Sequence, residues 1–219
     1  VGLGILLIMT IGGLTKPLGP QFRIFMGMGF GIALSLVIMA GSELFTGNNM
    51  VMMAGLYSKK VSIKDLGKIW SFSYFGNLIG SILVGLLFVY AGSALSPHRE
   101  VGGIILGITE LKTTAPILDL IVKGILCNIL VCLAVLCSLK MKSESGKLIM
   151  IWWCLFAFIT SGYEHSIANM SLFSAALALP NSTITIGAVA YNLLWTTIGN
   201  IIGGSMLGLA YAYIGSKKK

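Results

Sequence analysis

The chain has 219 residues, 56% of them hydrophobic and only 10% charged, with a mean hydropathy of +0.93 and a formal net charge of +8. An ordinary soluble domain carries about 25% charged residues, so the composition excludes one and points to an all-α polytopic membrane protein embedded in a lipid bilayer. The positive charge does not imply a nucleic-acid partner, because it is sorted by loop. Lys59, Lys60, Lys64, Lys68, Lys140, Lys142, Lys147, Lys217, Lys218 and Lys219 fall in loops on one side, against Lys16, Arg23, Arg99 and Lys112 on the other. By the positive-inside rule the first set, with the C-terminus, is expected in the cytoplasm and the protein in the cell's inner membrane.

A helix needs about 20 apolar residues to cross the hydrocarbon, and six segments approach that: 1–14, 22–40, 69–91, 117–139, 148–159 running on through a polar break, and 186–214. The first is short and begins without Met, which reads as a span truncated at its N-terminus rather than a cleaved signal peptide. Lys16-Pro17-Leu18-Gly19-Pro20 is an external turn. The second span carries Met26-Gly27-Met28-Gly29-Phe30-Gly31, small residues that let helices approach closely, and breaks at 41–49. Thr46 is expected to cap a new half-helix from about 47 to 57. In a membrane, such non-helical backbone is tolerated only inside protein or along a cavity.

The external segment 93–115 holds Pro97, His98, Arg99, Glu100, Glu110 and Lys112, and 101–108 is apolar enough to dip toward the membrane surface. Lys123, a charge within the fourth span, is expected either to snorkel or to pair with Asp119 one turn earlier. Cys127, Cys132, Cys137 and Cys154 lie within apolar spans, and the first three, spaced five residues apart, share no helical face. They read as small buried hydrophobes, so neither a metal nor a cofactor is expected. Asn181-Ser182-Thr183 matches a glycosylation acceptor, a match too short to carry weight.

The chain is organised around Gly162-Tyr163-Glu164-His165-Ser166-Ile167-Ala168-Asn169-Met170, where an acid, an imidazole and an amide interrupt an apolar run. Ionisable groups at that depth are costly unless they face protein or water, which marks a functional site. Gly41-Ser42-Glu43-Leu44-Phe45-Thr46-Gly47-Asn48-Asn49-Met50 repeats the device, with Asn five residues after the Glu in both. Gly76-Asn77 follows Glu43 by 34 residues to the Asn, and Gly199-Asn200 follows Glu164 by 36. The chain is therefore expected to be a single channel domain over 1–219 with two copies of a three-helix unit, about 1–95 and 115–215. Three spans per copy force opposite orientations, an inverted repeat with its site near the midplane between interrupted second and fifth helices. Structural roles stand beside these: His165 as a hydrogen-bonded histidine between helices, and Glu43 and Glu164 as ties from the broken helices to backbone amides. No nucleophile–base–orienter set, phosphate loop or second metal ligand accompanies His165, so an enzyme is not expected.

These motifs, with Phe75-Gly76-Asn77 and Gly199-Asn200-Ile201-Ile202-Gly203-Gly204, resemble the formate/nitrite transporter family, which includes a hydrosulfide branch, over nearly the whole chain. The resemblance implies an aquaporin-like protomer of six helices, a homopentamer with one pore per protomer, and an amphipathic N-terminal helix ahead of Val1. It puts Thr46, Lys112, Asn128 and His165 among the polar pore residues and Phe30, Leu34, Leu44 and Phe158 at two apolar constrictions. Glu43, Glu164, Asn169, Asn77 and Asn200 would support the helix breaks. The function it implies is passive or proton-coupled passage of formate, nitrite or hydrosulfide. Lys112 attracts the anion at the external mouth, Thr46 and His165 donate hydrogen bonds between the constrictions, and protonation lets a neutral acid pass the apolar slits. His165, with a reference pKa of about 6.5, is the candidate proton partner. The rival reading is an aquaporin-like pore for small neutral solutes.

Overall fold

The computed structural model describes residues 1–95 and 100–217. Pro97, His98 and Arg99 of the external segment, and Lys218 and Lys219 of the terminal basic run, lie outside the described residues. Among those described, all regular structure is helical: α1 (Gly2–Thr15), α2 (Phe22–Gly29), α3 (Gly31–Ala40), α4 (Phe45–Tyr57), α5 (Ile63–Tyr90), α6 (Val101–Thr113), α7 (Ile117–Lys140), α8 (Glu144–Thr160), α9 (Ser166–Ala178) and α10 (Ile186–Ser216). Four runs are long and apolar enough to cross a membrane: Gly2–Ala40, Ile63–Tyr90, Ile117–Lys140 and Ile186–Ser216.

Within the first run the chain reverses. Lys16–Gln21 forms a 3-10 turn in which Gly19 takes φ 73° and ψ −153°, a conformation open to glycine, and α1 packs back on α2. Phe30 continues α2 into α3 with right-handed dihedrals. The third expected span begins earlier than its apolar run, at Ile63, because Ser62 accepts from Asp65 N while Asp65 Oδ2 accepts from Ser62 N, a reciprocal cap. Segment 101–108 proves to be part of α6, whose Val101, Ile104, Ile105, Thr109 and Thr113 are buried against α1 and α9. The expected Lys123–Asp119 pair is present at 3.2 Å.

Lipid tails are as apolar as leucine, so these helices associate through close packing and polar contacts rather than through hydrophobic expulsion. α10 lies flush on α7 because it presents Gly199 and Gly203 there. A Cβ at either position would collide with the carbonyl oxygens of Ile121 and Ile125. The centre of the bundle is α9, buried along nearly its whole length, and it packs on α5, α1 and α6. Its own Leu172 and Phe173 join one buried cluster with Phe30, Leu34 and Phe158. The outer faces are apolar and exposed, as on α5 at Phe72, Phe75, Ile79, Leu83 and Leu87.

Candidate functional site

The site is made by two breaks built alike. α3 ends on Gly41 with φ 71°, and the turn after α8 contains Gly162 with φ 69°, each two residues before a glutamate and each in the left-handed region that glycine enters without strain. The residue after each glutamate is extended: Leu44 at φ −130°, ψ 116° and His165 at φ −122°, ψ 113°. A helix starts on the next residue. Such a start leaves backbone N–H groups without partners, and a side-chain amide from a distant helix takes the first of them. Asn77 Oδ1 accepts from Phe45 N at 3.0 Å while its Nδ2 donates to Glu43 O at 3.0 Å. Asn200 Oδ1 accepts from Ser166 N at 2.9 Å while its Nδ2 donates to Glu164 O and Gly124 O, both at 2.9 Å.

The two carboxylates do not bond backbone amides. Glu43 Oε2 accepts from Asn48 Nδ2 at 2.8 Å, and Glu164 Oε2 accepts from Asn169 Nδ2 at 2.6 Å. The ties to the main chain are the work of Asn77 and Asn200. Glu164, only 4% exposed, needs a counter-charge at such depth, and Lys112 supplies it with Nζ 2.7 Å from Oε1. Lys112 is thus largely neutralised rather than a free cation. A further residue, unmarked in the sequence reading, closes this arrangement into a ring. Asn192 Oδ1 lies 2.9 Å from Asn169 Nδ2, and Asn192 Nδ2 donates to Lys112 O at 2.8 Å. Its only signal was an amide in an apolar span eight residues before Asn200.

Thr46 and His165 meet, with Oγ1 and Nε2 3.1 Å apart. Thr46 does not cap α4. It sits one residue inside the helix, Leu44 holds the cap position without a side-chain bond, and the Thr46 hydroxyl goes to the imidazole instead. His165 Nδ1 accepts from Ala168 N at 3.1 Å and so caps α9. With Nδ1 used as an acceptor, the network assigns the ring proton to Nε2, which donates to Thr46. Phe158 stacks on the imidazole at 5.9 Å and 19°, and Phe30 meets Phe158 edge-on at 5.3 Å. Asn128, also expected at the pore, is fully buried behind Thr46. Its Nδ2 donates to Thr46 O at 3.1 Å and Asn200 O at 2.6 Å, binding α7 to α4 and α10.

Three cavities lie in a row through these groups. A vestibule of about 510 Å³ is lined by Arg23, Lys112, Glu164, Phe158 and His165 among others. A central space of about 10 Å³, room for about one water, is walled by Phe30, Leu34, Leu44, Phe158 and His165. A second vestibule of about 300 Å³ reaches Leu44 from the far side, with Glu43, Asn77 and Ile167 on its walls. Phe158 and His165 line both the first and the central cavity, and Leu44 lines both the central and the second. All four expected constriction residues thus border the central space, whereas Thr46 lines none of the three and reaches the row only through His165. Among the described residues no group of three or more His, Cys, Asp or Glu is set to hold a metal ion.

An apolar helical bundle with two wide mouths, a narrow polar-edged centre and two broken helices meeting there is the construction of a membrane channel or transporter. The particular family follows from comparison: the model for the formate/nitrite transporter matches residues 1–214, and the chain belongs to that family. It is 45% identical over 216 residues to the nitrite transporter NirC of Escherichia coli (strain K12), covering 97% of this chain and 78% of that one. It is 32% identical over 208 residues to the formate-nitrite transporter of Plasmodium falciparum (isolate 3D7), covering 92% and 67%. Among solved structures it superposes on an FNT family ion channel with a TM-score of 0.90 at 44% identity, covering 97% and 84%. On a pentameric formate channel with formate bound the TM-score is 0.82 at 25% identity, covering 97% and 91%.

Proposed function

We propose that the chain conducts small monovalent anions of weak acids, formate, nitrite or hydrosulfide, along the row of cavities between its two broken helices. The observation that carries this reading is the sharing of walls: each narrow point, Phe158 with His165 on one side and Leu44 on the other, borders the small central space on one face and a wide vestibule on the other. The names of the relatives, a nitrite transporter and a formate channel, support the substrate class.

The architecture is six spans: α1, α2 to α4, α5, α7, α8 to α9, and α10, one channel domain made of two inverted three-helix repeats. The matched construction of the breaks supports the repeat, and the pentameric neighbour supports a homopentamer. The lysine asymmetry orients it as a multi-pass inner-membrane protein with a cytoplasmic C-terminus. Conduction needs no covalent chemistry, and we assign no enzymatic activity or cofactor.

Desolvating an anion costs many kcal/mol, which no apolar slit returns. The first vestibule concentrates the anion by positive charge, and the ion pairs with a proton before the Phe158 slit, since the neutral acid crosses at far lower cost. His165 acts as a fixed dipole whose Nε2–H is steered by Thr46. Both ring nitrogens are engaged, so taking or giving a proton would break one of those bonds, and vestibule water is the nearer proton source. Glu43, Glu164, Asn169, Asn77, Asn200 and Asn128 hold the breaks in register around this path.

Proteoliposomes of the purified protein, tested side by side with formate, nitrite and hydrosulfide, check the proposal. Saturable flux of one or more, with glycerol excluded, is the expected result. Glycerol flux without anion flux would instead favour the neutral-solute pore.

A further inference from the structure

We propose that Arg23 captures the anion at the mouth of the first vestibule and selects planar, two-oxygen anions over single-centre ones, a proposal that rests on reading this vestibule as the anion's entrance. Five charged side chains line that vestibule among the described residues: Arg23, Lys112, Asp119, Lys123 and Glu164. Four of them cancel in pairs, Lys112 with Glu164 at 2.7 Å and Lys123 with Asp119 at 3.2 Å. Arg23 makes no ion pair or side-chain hydrogen bond with the described residues and is exposed. The surplus charge of the vestibule is therefore its guanidinium, whereas the lysine that the family resemblance singles out is already engaged by a carboxylate.

The position of Arg23 is also unusual for a purely solvated cation. It is the second residue of α2, in a first turn with no acidic residue, so it adds positive charge where the helix macrodipole is already positive. That arrangement is unfavourable for the empty protein and favourable when an anion arrives. The guanidinium does not point away from the path. Nη1 comes to 4.0 Å from where a Cβ on Gly162 would stand, over the break and three residues from His165.

A guanidinium presents parallel N–H donors that match two oxygens on one planar centre, as in a carboxylate or nitrite, and a lysine ammonium does not. Hydrosulfide has one acceptor atom and gains nothing from the fork beyond charge. The step is capture, so it changes the concentration needed for half-maximal flux more than the maximal flux.

The test is flux of nitrite, formate and hydrosulfide into proteoliposomes carrying wild type, Arg23→Lys and Arg23→Gln. Arg23→Gln is expected to raise the half-saturating concentration of all three anions, by about fivefold, the scale of an exposed ion pair near 1 kcal/mol. Arg23→Lys is expected to raise it for nitrite and formate and leave hydrosulfide near wild type. Half-saturation unchanged in both variants would overturn the capture role, and equal shifts for the three anions in Arg23→Lys would overturn the selection. Absence of flux of every anion in the wild type would instead sink the transport reading beneath it.

Discussion

The two amides that cap the half-helices make the same kind of bond but stand in different surroundings, and this predicts unequal losses on their removal. Asn200→Ala deletes three hydrogen bonds at 2.9 Å from a site with no exposure. At about 0.6 kcal/mol for each interhelical bond in a membrane protein, and about 1–3 kcal/mol for the stranded Ser166 N–H, the cost comes to about 3–5 kcal/mol. Asn77→Ala deletes two bonds at 3.0 Å from a half-buried site that borders the second vestibule. Water can replace its partners there, so the cost is about 1–2 kcal/mol. Denaturant titration of the two purified variants in one detergent, read by helical circular dichroism, measures both. Asn200→Ala should lose the larger share of stability and also lose flux, because the N-terminus of α9 that carries His165 is no longer held. Equal losses, or the reverse order, would refute the argument that burial sets the worth of these caps.

Other consequences follow from the same geometry. Leu44→Ala removes a branched wall shared by the central and second cavities, and should raise flux or admit larger anions such as acetate, measured against wild type in the same vesicles. His165→Asn keeps an oxygen to cap Ala168 N but loses the titrating ring; the ratio of its nitrite flux to that of wild type should stay flat from about pH 5 to 8, and a ratio that bends across this range would make His165 the proton partner after all. Cysteine substituted for Lys60 should react with an impermeant thiol reagent only from the cytoplasmic face, and for Leu18 only from the outer face, with opposite labelling overturning the orientation.

Much of the site was legible because charge is scarce in an apolar chain. Two Gly-x-Glu motifs with Asn at a fixed offset marked both breaks, and the 34- and 36-residue distances to Asn77 and Asn200 paired each break with its cap. Partners were harder to read. Lys112 and Glu164 are far apart in sequence and meet only because α6 folds inward against α9, so Lys112 read as a free external cation. Thr46 read as a cap because threonine often is one, yet the first N–H of α4 was taken by a residue from α5, which no local pattern reveals. Arg23 read only as a topology charge, since its lack of a partner among the described residues is a property of the folded vestibule. The start of α5 is hidden from hydropathy for a different reason: the Ser62–Asp65 cap that sets it is polar and precedes the apolar run.

The central claim is that the substrate passes Leu44 on its way between the two vestibules. Nitrite flux through Leu44→Cys, before and after treatment with a small membrane-permeant methanethiosulfonate and with wild type as control for the native cysteines, tests it most directly. Attached at a wall of a space of about 10 Å³, the added group should abolish flux in the variant and leave wild type conducting. If the variant is fully labelled, as mass spectrometry would show, and still conducts nitrite at its untreated rate, the path does not run through this row of cavities.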